Sequence, residues 1–179
     1  MESASGRIAV RRITKKFQPG ICGVCGWHGI VGVVCRGRRC ASRYIYDPIH
    51  DFIKAKGRTK VSQAQRDLFE EVRTMTGGPV YQEVIFPWSI GGHGAGYRFD
   101  IVVPHLRMIV EYDSLMHREF NKFFHKTRAQ FHAMLLRDQV KDKMAKQAGW
   151  KLIRVAEGSP EGGLIVRRYV DQQRTRTSY

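Results

Sequence analysis

The sequence predicts an α/β fold in which one helix precedes a three-stranded sheet of hairpins, followed by a second helix and a final strand. The main observation is a pair of short apolar runs at residues 99–103 and 108–110. They are rich in β-branched side chains and separated by Pro104-His105, which indicates a β-hairpin. Apolar residues spaced three and four apart, as in an amphipathic helix, occur both before and after this hairpin. Four cysteines near the N-terminus predict a small zinc-ribbon or zinc-knuckle module ahead of the core.

Composition and charge restrict the class of protein and its partners. A chain of 179 residues, 42% of them hydrophobic, can bury a core, and it lacks the apolar run of about 18 residues that a transmembrane helix needs. The first residues lack the apolar centre of a signal peptide, so we expect a cytoplasmic protein. The formal net charge is +15, and residues 1–60 hold 13 basic and 3 acidic residues. This asymmetry favours a polyanionic partner, above all DNA.

The cysteines have the spacing of zinc ligands. Cys22 and Cys25 form a C-x-x-C pair, nine residues separate this pair from Cys35, and four residues separate Cys35 from Cys40. Disulfides are rare in the cytosol and two pairs of thiolates suit one tetrahedral ion, so we predict that these four residues hold a structural zinc ion. A redox C-x-x-C pair and four merely buried cysteines are the alternatives, and His28 is a further ligand candidate.

Residues 1–58 are predicted to form a basic arm and a zinc-binding module that contacts DNA phosphates. The basic residues expected to make these contacts lie before the cysteines and around the second cysteine pair: Arg11, Arg12, Lys15, Lys16, Arg36, Arg38, Arg39 and Arg43. A short helix ending at Gly57 is expected at the end of this module. The predicted boundary near Arg58 separates it from the core at residues 59–157.

The core is predicted to begin with a helix that Ser62 caps and that Gly77 ends. Residues 80–86 are predicted to be the first core strand, and the hairpin follows. Residues 119–149 are predicted to be largely helical, with a kink near Arg137 or a second helix at 137–147. The aromatic residues there keep a spacing of three and four, which predicts that they face the core: Phe120, Phe123, Phe124 and Phe131.

The end of the chain is predicted to hold one more strand and a tail. Residues 150–155 are predicted to form the last strand. Residues 158–179 are rich in glycine and then in basic residues. We expect a basic C-terminal tail whose end is disordered or contacts DNA.

Three carboxylates lie at one end of the predicted hairpin. Asp100 is near the start of the first strand, and Glu111 and Asp113 are at the end of the second, where alternation places them on one face. If Asp100 lies across the hairpin from them, the three carboxylates converge. A buried carboxylate without a partner is costly, so a cation is the expected partner, and hard oxygen ligands suit magnesium or manganese. Solvated acids at the ends of a hairpin are the alternative.

These motifs resemble the PD-(D/E)XK nuclease superfamily. FDIVVP at 99–104 and IVEYDSLMH at 109–117 are similar to the branch with strands F-D-I-x-x-P and I-E-Y-D-G-x-x-H, which includes very-short-patch repair endonucleases and related phage and homing endonucleases. RDQVKDKMAKQAGWKLIRV at 137–155 is similar to the R-D-x-x-K helix and last strand of that branch. The resemblance covers roughly residues 62–155. Ser114 replaces the usual glycine, and Asp113 stands at the superfamily's lysine position, where this branch has an acid or a histidine.

The resemblance implies a restriction-endonuclease-like core and a magnesium-dependent DNA endonuclease of phage or mobile-element type, which nicks DNA or cuts both strands. A phage-encoded enzyme would act in the host cytoplasm. The ligands that it implies for magnesium or manganese are Asp100, Glu111 and Asp113. It implies that His117 is a general base or acid and that Lys141 replaces the strand lysine. An exposed ion pair with Asp138 is the alternative for Lys141, and Gln65 stands where the family often has a helical glutamate.

Two other functions fit the same features. One is a structure-selective nuclease such as a Holliday junction resolvase, and the other is a zinc-ribbon DNA-binding protein that does not cleave. Both require DNA as the partner. The sequence leaves open whether the chain forms a homodimer.

Overall fold

The computed structural model describes residues 43–57, 60–90, 96–115, 118–159 and 161–177. Six strands in this part of the chain form one mixed sheet, in sequence order. They are β1 (Tyr44–Asp47), β2 (Phe52–Ala55), β3 (Tyr81–Ile90), β4 (Gly96–Val103), β5 (Met108–Asp113) and β6 (Lys151–Ala156). Neighbouring strands are antiparallel, except that β6 is parallel to β5.

Three helices are described together with this sheet: α1 (Gln63–Thr76), α2 (Arg128–Gln147) and α3 (Gly162–Thr177). The predicted α/β class is therefore confirmed. The predicted zinc-binding module, with its four cysteines, lies outside the described residues. Among the helices that the structure describes, none has the length and apolar character needed to cross a lipid bilayer.

The sheet separates two layers of core side chains. On one face, Leu68 and Val72 of α1 pack with Val166 and Val170 of α3 against alternate residues of β4, β5 and β6. On the other face, Ala145 of α2 packs with an aromatic group: Phe52, Phe86, Phe99, Tyr81, Trp88 and Trp150. The second layer places α2 over the hairpin that carries the predicted site.

Helix α1 has the predicted start and end, and its first turn gives Gln65 a structural role. The Ser62 hydroxyl accepts a hydrogen bond from the Gln65 backbone N–H, and the Gln65 side chain accepts one from the Ser62 backbone N–H. This reciprocal capping satisfies two N–H groups that the helix leaves without partners. Gly77 ends the helix with φ 65°, a left-handed conformation that suits glycine.

The predicted short helix before Gly57 is wrong, because residues 44–55 form the β1–β2 hairpin. Asp47 and Pro48 start the turn, and the Asp47 carboxylate accepts hydrogen bonds from the backbone N–H groups of Ile49 and His50. An aspartate that binds the backbone two residues ahead favours a turn over a helix. Because β2 pairs with β3, the sheet extends across the boundary predicted at residue 58.

Two further expectations differ from the structure. Residues 128–147 form one continuous helix, without the break predicted near Arg137. The apolar pattern is interrupted there because two polar residues, Asp138 and Lys141, face the sheet. Residues 162–177 form α3, whose Val166 and Val170 are buried in the core. Most of the predicted basic tail is thus a packed helix.

The buried Asp47 carboxylate should contribute to stability. Burial acts to raise the pKa of Asp47, but hydrogen bonds from Lys54 and from His50 prevail and lower this pKa to about 2. A lowered pKa in the folded state stabilises the protein above the ordinary pKa of aspartate, and this contribution is lost as the pH falls towards 2. We expect Asp47→Asn to lower the free energy of unfolding by about 1 kcal/mol at pH 7. The difference from wild type should close between pH 4 and pH 2 in urea denaturation, and a constant difference would contradict this explanation.

Candidate active site

The acids of β4 and β5 meet where the backbone pairing of these two strands stops. The pairing runs from Val103–Met108 to Ile101–Val110. One residue further, Glu111 Oε1 accepts a hydrogen bond from the Asp100 backbone N–H at 3.3 Å, and Asp100 Oδ2 accepts one from the Tyr112 backbone N–H at 2.9 Å. Each carboxylate is therefore held by the backbone of the opposite strand, and Asp100 lies across the hairpin from Glu111.

Lys141 of α2 completes this group with a positive charge. Its Nζ donates a hydrogen bond to Glu111 Oε2 at 2.5 Å, and the two side chains are only 12% and 6% exposed. The ammonium also lies 5.0 Å from the centre of the Phe99 ring, within the range of a cation–π contact. Lys141 thus has a buried, fixed position on the sheet rather than an exposed one on the helix surface.

Arg154 of β6 holds the helix in the rotation that points Lys141 at Glu111. Its guanidinium donates hydrogen bonds to Asp142 Oδ1 at 2.8 Å and to the Asp138 carbonyl at 3.1 Å. These two residues flank Lys141 on α2, and Arg154 is also the direct neighbour of Glu111 in the β5–β6 pairing. Arg154 was not predicted as a site residue. The spacing of Asp138, Lys141 and Asp142, which places three charges on one helix face, is the signal that would have found it.

The environment of Glu111 disfavours its negative charge. Burial is the main cause that raises the pKa of Glu111 to about 7, and the Asp100 carboxylate raises it further. The Lys141 ammonium acts in the opposite direction without cancelling these effects. A buried carboxylate with a raised pKa near neutral pH is typical of functional sites. Additional positive charge beside Glu111 would stabilise its ionised form.

Glu83 is a further acid of this group that the sequence analysis missed. It follows Gln82, which pairs with Ile101, and precedes Val84, which pairs with Phe99, so it lies opposite Asp100 on β3. The pKa of Glu83 is raised, mainly by burial. The positive charges of Arg98 and Lys141 act to lower this pKa, and the Asp100 carboxylate acts to raise it. Arg98 Nη1 is 3.0 Å from Glu83 Oε2. The sequence signal is a single acid within the apolar strand VYQEVIF.

The backbone of Glu83 is in the left-handed region, with φ 53°. This conformation costs a residue other than glycine roughly 1–2 kcal/mol, and such strained residues cluster at functional sites. The neighbouring pairs on either side keep the same register, so the strain is confined to the residue opposite Asp100.

Asp113, the third predicted carboxylate, forms its ion pair away from this group. Among the described residues, the charged partner of the Asp113 carboxylate is Arg118, whose Nε is 3.8 Å away. Arg118 also donates hydrogen bonds to the Asp113 and Glu157 carbonyls, which holds the chain just after β5 against the end of β6. His117 lies outside the described residues. So do all the predicted DNA contacts except Arg43, which is exposed just before β1.

Within the described residues, no group of three or more His, Cys, Asp or Glu side chains is arranged to hold a metal ion. The donor chemistry of Asp100 and Glu111 nevertheless fits magnesium, which is commonly bound by one or two carboxylates while water and substrate phosphates supply its other ligands. The raised pKa of Glu111 also fits a site that gains from a cation. Magnesium binding remains a prediction for these two residues.

Comparison with known proteins identifies no relative. No protein-family model, no curated protein and no solved structure matches this chain.

Proposed function

We propose that this protein is a metal-dependent DNA endonuclease, which hydrolyses phosphodiester bonds and either nicks DNA or cuts both strands. The observation that supports this most is the meeting of Asp100 and Glu111 with Lys141 at the end of the β4–β5 hairpin. Two converging carboxylates beside a buried ammonium combine groups that bind a cation with a group that stabilises a phosphate anion. The resemblance to the PD-(D/E)XK superfamily supports the same function.

In this proposal Asp100 and Glu111 hold one magnesium ion. When bound, the ion supplies charge neutralisation at the phosphate and an activated water. Lys141 uses one of its three N–H donors on Glu111, and the other two would donate to an entering phosphate oxygen. The ammonium is fixed before the substrate arrives, so it stabilises the negative charge of the transition state without reorganisation.

The rest of the protein would supply affinity for DNA. The formal net charge of +15 favours binding to phosphates. A zinc module around the four cysteines, before β1, would present the basic residues of the second cysteine pair, and magnesium or manganese would serve the hairpin site. We propose a phage or mobile-element origin on the resemblance alone.

Cleavage of supercoiled plasmid tests this function. We expect nicked or linear product with magnesium or manganese and none with EDTA. The ratio of nicked to linear product early in the reaction distinguishes nicking from cutting of both strands. A four-way junction of the same base composition should be cleaved no faster than the linear duplex.

Other outcomes support the alternatives. Preferential cleavage of the junction supports a structure-selective nuclease. DNA binding in a gel-shift assay, without cleavage of any substrate in magnesium or manganese, supports a DNA-binding protein that does not cleave and overturns the endonuclease.

A further inference from the structure

Two aromatic side chains that were predicted to face the core project into solvent. Phe123 is 87% exposed and Phe124 is 53% exposed, and their rings lie edge to face with centres 5.0 Å apart. Both belong to residues 120–125, which we call the aromatic turn, between β5 and α2. The prediction that they are core residues is wrong, because α2 begins only at Arg128 and the helical spacing does not extend to them.

The aromatic turn is held in place by its own hydrogen bonds and by a buried residue. Asn121 accepts from three backbone N–H groups: its side-chain oxygen binds Phe123 at 2.8 Å, and its carbonyl binds Phe124 at 3.1 Å and His125 at 2.8 Å. His125 is only 6% exposed, and its ring contacts those of Phe120 and Phe131. The two exposed rings are therefore presented by an ordered turn with a buried anchor.

This turn precedes the helix that carries Lys141 of the candidate active site. Arg107, just before β5, donates hydrogen bonds to the carbonyls of Ala148 and Gly149 at the C-terminal end of α2, and the helix packs on β6 and β3. Helix α2 begins at Arg128, and Lys141, which contacts Glu111, is 13 residues further along it. The aromatic turn is therefore roughly 20 Å along the helix axis from the candidate active site.

The charges around the two rings are complementary to a nucleic acid. Lys122 and Lys126 are exposed on either side of them, and Arg128 lies 5.3 Å from the centre of the Phe120 ring. No acidic residue occurs between Glu119 and Asp138. Exposed aromatic rings among cations are what a protein needs to stack on bases while it neutralises phosphates.

We propose that the aromatic turn binds unstacked DNA bases roughly 20 Å from the cleavage site, with Phe123 and Phe124 as the stacking residues. The inference rests on the proposed endonuclease function and narrows its substrate to DNA with an unpaired or displaced base at that distance from the cut. In a regular duplex each base is stacked between its neighbours, so the two rings have no free base face to stack on. An unpaired base gives each ring a partner, while Lys122 and Lys126 contact the adjoining phosphates.

The test compares two short DNA duplexes that differ only in one unpaired 2-aminopurine. Dissociation constants are measured by fluorescence anisotropy in EDTA, so that binding is separate from cleavage. We expect wild-type protein to prefer the duplex with the unpaired base by about tenfold or more, since each stacked base contributes that much on aromatic-to-alanine substitution. Phe123→Ala and Phe124→Ala should abolish the preference and leave binding to the paired duplex unchanged, whereas Phe123→Trp should retain it.

Two controls separate stacking from other effects. Leu136→Ala removes another exposed apolar side chain, on α2, and should leave the preference intact. Lys122→Gln should weaken binding to both duplexes equally, as expected for a phosphate contact.

The outcomes distinguish this inference from the proposed function. If wild-type protein cleaves plasmid but shows no preference, or if Phe123→Ala retains the preference, only the stacking inference is overturned. If Phe123→Ala changes the oligomeric state and leaves the preference for the unpaired base unchanged, the two rings bind a second copy of the chain and the inference is wrong. If wild-type protein binds no DNA, both proposals fail.

Discussion

Glu111→Gln is expected to reduce magnesium-dependent plasmid cleavage by at least about 100- to 1000-fold, the usual effect of removing one preorganised group from an active site. The substitution keeps the shape of the side chain and leaves an amide oxygen for Lys141, so the fold should be retained. It removes the negative charge that we propose binds the cation. Initial rates of cleavage at saturating magnesium measure the effect, and gel-shift assays in EDTA should show unchanged binding of DNA.

The matched control for this prediction is Glu70→Gln. Glu70 is an exposed residue of α1 that pairs with Arg73, and its substitution should leave cleavage within twofold of wild type. If Glu111→Gln cleaves as well as Glu70→Gln, the proposed catalytic group is wrong.

The same variant should show a pH-dependent gain in stability when no metal is present. The pKa of Glu111 is raised to about 7 in the folded protein, so folding favours its protonated form. The resulting contribution to stability is full below the ordinary pKa of glutamate and is lost as the pH rises through about 7. In EDTA, wild type should therefore lose stability relative to Glu111→Gln between pH 5 and pH 8. Urea denaturation measures this difference, and magnesium should reduce it.

Lys141→Met is expected to have the second large effect, on both activity and stability. Methionine fills a similar volume but leaves the buried Glu111 carboxylate without its ion-pair partner. Because Glu111 has a pKa of about 7 and can take up a proton instead, we expect the free energy of unfolding to fall by about 1 kcal/mol at pH 8. The loss should be greatest at pH 8 and smallest at pH 5, where Glu111 is protonated. Cleavage should fall by about 100-fold or more, because no other described ammonium contacts the Asp100–Glu111 pair.

Lys143→Met is the matched control, since Lys143 is exposed on the same helix and should tolerate the change. Combining Lys141→Met with Glu111→Gln should recover much of the lost stability, because the double variant no longer buries an unpaired charge. The coupling free energy from this double-mutant cycle measures the interaction directly. If Lys141→Met is as stable as Lys143→Met at pH 8, the ion pair does not have the importance that we assign to it.

The candidate site was predictable only in part. Alternation along the strands and the short hairpin turn placed Asp100 opposite Glu111, because both effects act within a few residues. The resemblance, and not the pattern of charges, pointed to Lys141. Glu83 was missed because its position opposite Asp100 depends on the register between β3 and β4, which strand propensity does not indicate. Arg154 was missed because its contacts with Asp138 and Asp142 depend on how α2 packs against β6.

The same distinction applies to the fold as a whole. The bounds of α1, the strands of the β4–β5 hairpin and the position of β6 follow from caps, turns and apolar runs that are local in the sequence. By contrast, only tertiary contacts decided that residues 44–55 join the sheet, that 162–177 pack as a helix, and that α2 continues past two inward polar residues. These outcomes depend on apolar surface and charged partners supplied by distant parts of the chain, to which local propensity does not respond. The exposure of Phe123 and Phe124 was also decided by tertiary structure, because Asn121 and His125 turn the chain before the helix begins.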